Sequence, residues 1–195
     1  KCYHLPLRAS PFELFVSETP MLSYFRLFFD LCLFRRPAED VPQSDTLLLL
    51  TGGTAIFTGA FNALPDYRIA GALFVATVQV LIFALIIWIA LQLRGHRERW
   101  VQTMTGIYGA ITILQIITIP LSSWHSRLMV PDVTGVALTL PLMAIAAISI
   151  WTLAVTASVL RQAMQIPIAA AVLIIIGSQA LLLMIVFLFA GPVGS

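Results

Sequence analysis

Apolar residues along this chain gather into five uncharged runs separated by short charged stretches: Leu47 to Leu64, Ile69 to Leu93, Val101 to Leu121, Gly135 to Leu160 and Pro167 to Ala190. A helix needs about 20 mostly apolar residues to cross a hydrocarbon core, so each run predicts one membrane span. Pro65-Asp66-Tyr67-Arg68 closes the first and Arg94 to Arg99 the second. Ser122 to Thr134 reads as the loop between the third and fourth spans, Arg161 as the end of the fourth, and Gln162 to Ile166 as the turn before the fifth. The first run is the weakest by hydropathy because it holds Thr51, Gly52, Gly53, Thr54, Thr58 and Gly59. Small and hydroxyl residues of this kind let helices approach closely in lipid, which favours a span over a re-entrant or interfacial segment. Pro120 is expected to kink or end the third helix, and Pro141 lies within the first two turns of the fourth.

A different pattern precedes the spans. From Leu22 to Phe34 the polar residues are Ser23, Arg26 and Asp30, at helical spacing, and the remaining positions are aromatic or aliphatic apart from Cys32. This predicts an amphipathic helix too short to cross, lying at the cytoplasmic membrane surface or packed under the bundle. Arg35-Arg36 and Pro37 should stop it, and the two arginines offer positive charge to anionic headgroups. The chain opens on Lys1 and its first methionine is Met21. Residues 1–20 therefore read as an irregular extension, either part of a longer protein or translation ahead of a start at Met21. The expected organisation is 1–20 extension, 21–46 cytoplasmic amphipathic segment, 47–190 transmembrane domain and 191–195 tail.

Composition sharpens the class. The chain has 195 residues, 59% hydrophobic and 10% charged, where soluble domains carry about 25% charged residues. The fold class is all-α, a polytopic membrane bundle of five transmembrane helices with an N-terminal interfacial helix. A soluble enzyme and a nucleic-acid partner are excluded, and Cys2 and Cys32 form neither a CxxC pair nor a disulfide framework. With the N-terminus in the cytoplasm, nine of the eleven bases lie inside and only Arg68 and Arg127 outside. That asymmetry predicts an N-in, C-out topology.

Candidate chemistry is scarce. All nine acids and the three histidines fall outside the five runs, whereas proton-coupled carriers and voltage sensors need ionisable groups at membrane depth. His125 and Asp132 share the predicted outer loop with Ser122, Ser123 and Ser126, which reads as a solvated loop and not as a catalytic triad. No catalytic residue, metal site or cofactor is expected. The candidate packing or binding face is on the third span: Thr105, Tyr108, Thr112 and Gln115 recur at spacings of a helical face, beside Gly106, Gly109 and Pro120. Such hydroxyls and amides bond neighbouring helices for about 0.6 kcal/mol each, or line a groove. This helix is expected at the centre of the bundle. The candidate lipid-headgroup contacts are Arg35, Arg36, Arg94, Arg97 and Arg99.

Two stretches carry a family resemblance. Gly106-Ile107-Tyr108-Gly109 running to Pro120, and Ile150-Trp151-Thr152-Leu153 through Leu160-Arg161-Gln162-Ala163 to Ala169-Ala170-Ala171, resemble the Yip (Ypt-interacting protein) family of five-span membrane proteins. The aspartate-leucine-tyrosine-glycine motif of eukaryotic members, which bind prenylated Rab-type GTPases, is missing, and the glycine-tyrosine pair expected before the proline is replaced by Leu114 and Gln115 or their neighbours. The chain looks like the prokaryotic branch, which implies a bacterial cytoplasmic membrane. The favoured expectation is a non-enzymatic scaffold or partner-binding module, in contact with membrane lipids and with a protein partner or a second copy through its helices. A small solute channel or carrier, or a lipid-modifying enzyme using the Arg94 to Arg99 cluster, are the alternatives.

Overall fold

The structure, a computed structural model, describes residues 20–65, 67–128 and 140–190. Those residues form six α-helices: α1 (Pro20–Cys32), α2 (Asp45–Ala63), α3 (Ile69–Leu93), α4 (Trp100–Leu128), α5 (Leu140–Met164) and α6 (Ile168–Ala190). The last five are long and apolar enough to cross a membrane. Short 3-10 turns at Ala38–Asp40 and Arg97–Arg99 precede α2 and α4.

Local chemistry sets several boundaries. Ser44 caps α2 by accepting from the Leu47 N–H at 3.3 Å, and Asp45 places negative charge at the positive end of the helix dipole. α2 therefore starts two residues before the apolar run. α3 ends where Gly95 adopts φ +75° and the His96 N–H reaches the Leu91 carbonyl at 2.9 Å, a left-handed close that favours glycine. α1 ends in the same way with a costlier residue. The Arg35 N–H bonds the Asp30 carbonyl at 2.9 Å and the Phe34 N–H bonds the Leu31 carbonyl at 3.1 Å, with Phe34 at φ 57°. A side chain in that region costs about 1–2 kcal/mol. Phe34, and not Pro37, is thus where the helix turns.

Two expected boundaries are corrected. α4 continues through Pro120 to Leu128, so Ser122, His125 and Arg127 are helical and not in a loop. The missing proline N–H frees only the Ile116 carbonyl, on an exposed residue. Arg161 does not end the fourth span; α5 runs on to Met164 and closes at Gln165, φ 53°. Asp132 and the start proposed at Gly135 lie outside the described residues, as do residues 1–19 and the tail 191–195.

α4 is the centre. Thr103 to Ala110 is buried without interruption, and half of the apolar stretch of α4 is buried, against 22–28% in the other spans. α2 runs parallel to it: Gly52 lies beside Tyr108, Thr54 beside Thr112 and Thr58 beside Gln115. One end of the bundle is basic. There Arg99 lies 3.6 Å from Glu39, Gln102 Nε2 donates to the Val41 carbonyl at 2.8 Å, and the Ala38 N–H donates to Gln162 Oε1 at 3.1 Å. These contacts tie the segment after α1 to both α4 and α5.

Candidate functional site

The face expected on α4 divides into three surfaces. Gly106 and Gly109 meet α1 and the segment after it: a Cβ on Gly106 would lie 3.5 Å from Val41 Cγ2 and 3.7 Å from Leu31 Cδ2, and one on Gly109 would lie 2.6 Å from Phe28 Cε1. The glycines do face protein, but they receive side chains and not the backbone of another span. Leu27, Phe28, Leu31 and Cys32 are buried in this contact, and the Cys32 Sγ–H points at the Ala110 carbonyl, 3.6 Å away. Ala110 is ten residues into α4, about 15 Å at the helical rise, so α1 docks along the flank of α4 and not across its tip.

Trp151 completes this docking, a role with no signal in the sequence. Its Nε1–H donates to the Cys32 carbonyl at 3.0 Å, and its ring meets Phe34 edge-on with centroids 5.6 Å apart. Ser23 and Arg26 lie on the exposed side of α1 with Tyr24, Phe25 and Phe29.

Thr105 and Thr112 form the second surface. Both hydroxyls donate to their own helix, Thr105 to the Val101 carbonyl at 2.7 Å and Thr112 to the Tyr108 carbonyl at 2.8 Å. This back-bonding satisfies them without a partner helix, although Thr112 also approaches Thr54 at 3.5 Å. Pro120 is exposed and outside all three surfaces.

Tyr108 and Gln115 form the third, the wall of a cavity of about 460 Å³ bounded by all five spans. The Tyr108 hydroxyl donates to the Val80 carbonyl of α3 at 2.6 Å. Gln115 Oε1 accepts from the Thr58 hydroxyl, while the Gln115 carbonyl accepts from Asn62 Nδ2 at 3.2 Å. Asn62 Nδ2 also donates to the Thr58 carbonyl at 3.0 Å, so the amide is oriented and its oxygen is the end left over. That oxygen is buried and has no hydrogen-bond partner. Gln79, Thr118, Thr152 and Thr156 add polar groups, and the exposed Ser149 and Gln179 mark where the cavity reaches the surface of the bundle. No charged side chain lines it among the described residues.

No protein-family model, curated protein or solved structure matches the chain.

The basic residues separate in a similar way. Arg35 and Arg36 line a cleft against α5. Arg97 borders a shallow surface with Trp88 and Trp100, Arg99 pairs with Glu39, and Arg94 is the exposed residue that follows α3. Asn62 stands apart from the expected site residues. One asparagine near the end of the least hydropathic run carries no periodic signal, and its importance comes from Gln115, 53 residues away in sequence.

Proposed function

We propose that this integral membrane protein is a non-enzymatic binding module of Yip type, and that its cavity holds a small uncharged amphiphile with a hydroxyl or amide donor. The unpaired Asn62 Oδ1 carries this reading. A buried acceptor without a donor costs about 1–3 kcal/mol, which a ligand O–H or N–H would offset once the Asn62 side chain turned its oxygen into the cavity that the residue lines. The cavity volume of about 460 Å³ suits a small molecule, since ligand pockets run from about 300 to 1,000 Å³. A ligand ion would be left uncompensated against amides and hydroxyls, an expensive arrangement at this depth. The proposed setting is a bacterial cytoplasmic membrane, with the basic end of the bundle and the N-terminus cytoplasmic and the C-terminus outside.

The test is thermal unfolding of the purified chain in micelles with octanol and octanamide, against octanoate and octylammonium. The uncharged pair should stabilise it, by about 2.7 kcal/mol at 100 times Kd. Asn62→Leu and Gln115→Leu, if still folded, should lose that response. Equal stabilisation by the charged pair, or an undiminished response in folded Asn62→Leu protein, would overturn the proposal. Flux of octanamide from proteoliposomes then separates a carrier from a static binding module.

A further inference from the structure

A second cleft, of about 290 Å³, opens at the basic end between the segment after α1 and the C-terminal part of α5. Its floor is apolar, formed by Leu31, Val155 and Val159, and Arg35, Arg36, Ser158 and Gln162 supply its polar groups. The chain enters it through the left-handed Phe34. That residue closes α1 as Gly95 closes α3. Here Trp151 holds the turn from both sides, through the Phe34 ring and through the Cys32 carbonyl. The turn delivers two consecutive arginines to the cleft.

The polar groups there are mostly donors. Gln162 Oε1 is occupied by the Ala38 N–H at 3.1 Å, which leaves its Nε2 with only a long contact, 3.5 Å, to the Ser158 hydroxyl. Asp30 lies 3.6 Å from Arg36 Nε and offsets one positive charge. Among the described residues Arg35 makes no ion pair. Two guanidinium groups, an amide N–H and a hydroxyl around one cleft, against a single carboxylate, match an anion that accepts several hydrogen bonds, and planar guanidinium forks suit phosphate oxygens.

We propose that this cleft binds a phosphate group. The apolar floor and the exposed Phe34 ring suit the headgroup of an anionic phospholipid, whose chains would run along α1 and α5; a soluble phosphate would offer the same oxygens without chains. The site is separate from the central cavity, with which it shares no lining residue.

Native mass spectrometry of the full chain, reconstituted with phosphatidylcholine and phosphatidylglycerol, tests it. Phosphatidylglycerol should be retained preferentially, with retention falling about five-fold for each of Arg35→Gln and Arg36→Gln. Asp30→Asn, which releases Arg36, should strengthen retention. Arg94→Gln with Arg97→Gln, at the same end of the bundle, should leave it unchanged. In a lipid-free arm, binding of inorganic phosphate or glycerol phosphate that is lost in the same variants, without preference for phosphatidylglycerol, would support the site and make its source soluble. Three results would overturn the proposal: no binding in either arm, undiminished binding in folded Arg35→Gln/Arg36→Gln protein, or an equal loss in the Arg94→Gln/Arg97→Gln control.

Discussion

Substituting Gly109 tests how the N-terminal helix is held. A Cβ there would sit 2.6 Å from both Cγ and Cε1 of Phe28, well inside contact distance for carbon atoms, which prefer about 3.5–4.0 Å. Phe28 is only 7% exposed, so its ring cannot yield without shifting α1. Overpacking of this kind costs about 1–3 kcal/mol. The gain in helix propensity on replacing glycine by alanine, about 1 kcal/mol, offsets part of it within α4 but does nothing for the α1 contact. Gly109→Ala should therefore loosen α1 while the five spans stay folded, and the bulkier Gly109→Leu should release α1 or unfold the protein.

Gly106→Ala is the matched control. Its Cβ would meet Val41 at 3.5 Å and Leu31 at 3.7 Å, which is ordinary contact, so it should be neutral or slightly stabilising. Global stability is read by far-UV circular dichroism during titration of mixed micelles with sodium dodecyl sulfate. Docking of α1 is read by the reactivity of Cys32 in a Cys2→Ser background. If Gly109→Ala keeps wild-type stability and wild-type protection of Cys32, the contact between Phe28 and Gly109 does not hold α1 and the reasoning fails.

Burial pushes the Cys32 thiol up from 9.0 to about 11. In the Cys2→Ser background its thiolate fraction at neutral pH should be about 100-fold below that of an exposed thiol, with alkylation rising only as the pH approaches 11; rapid alkylation near neutral pH would contradict this. Trp151→Phe removes the bond to the Cys32 carbonyl, about 0.5–1.5 kcal/mol, and should raise Cys32 reactivity while leaving the unfolding of the spans nearly unchanged. Tyr108→Phe removes one interhelical hydrogen bond and should cost no more than about 1.7 kcal/mol in the same titration; a much larger loss would mean that the hydroxyl has another role. A topology reporter fused after Ser195 should respond as extracytoplasmic, and a cytoplasmic response would reverse the proposed orientation.

The five spans were legible in the sequence because hydrocarbon imposes a length and a polarity on every segment that crosses it. α3 needed no adjustment, since Arg68 and Arg94 flank an uninterrupted uncharged run. The errors fell where that constraint is weak. Pro120 sits at the end of the apolar run and Ser122 follows it, and nothing local says that a helix already anchored by its buried half will continue past them. The amphipathic stripe revealed α1, but not its dock: a short apolar face suits lipid or protein equally, and the choice rests on the fit of Phe28 against Gly109.

The polar stripe of α4 shows the division most directly. Periodicity placed Thr105, Tyr108, Thr112 and Gln115 together, yet threonine hydroxyls can reach back to the preceding turn and satisfy themselves, whereas the longer tyrosine and glutamine reach other helices. Sequence determined that this is an all-helical, five-span membrane protein with its bases gathered ahead of the first span and between alternate spans. Only the tertiary structure decided which polar groups share a cavity, which arginines share a cleft, and which acceptor stays unpaired, because each depends on side chains brought together from helices far apart in the chain.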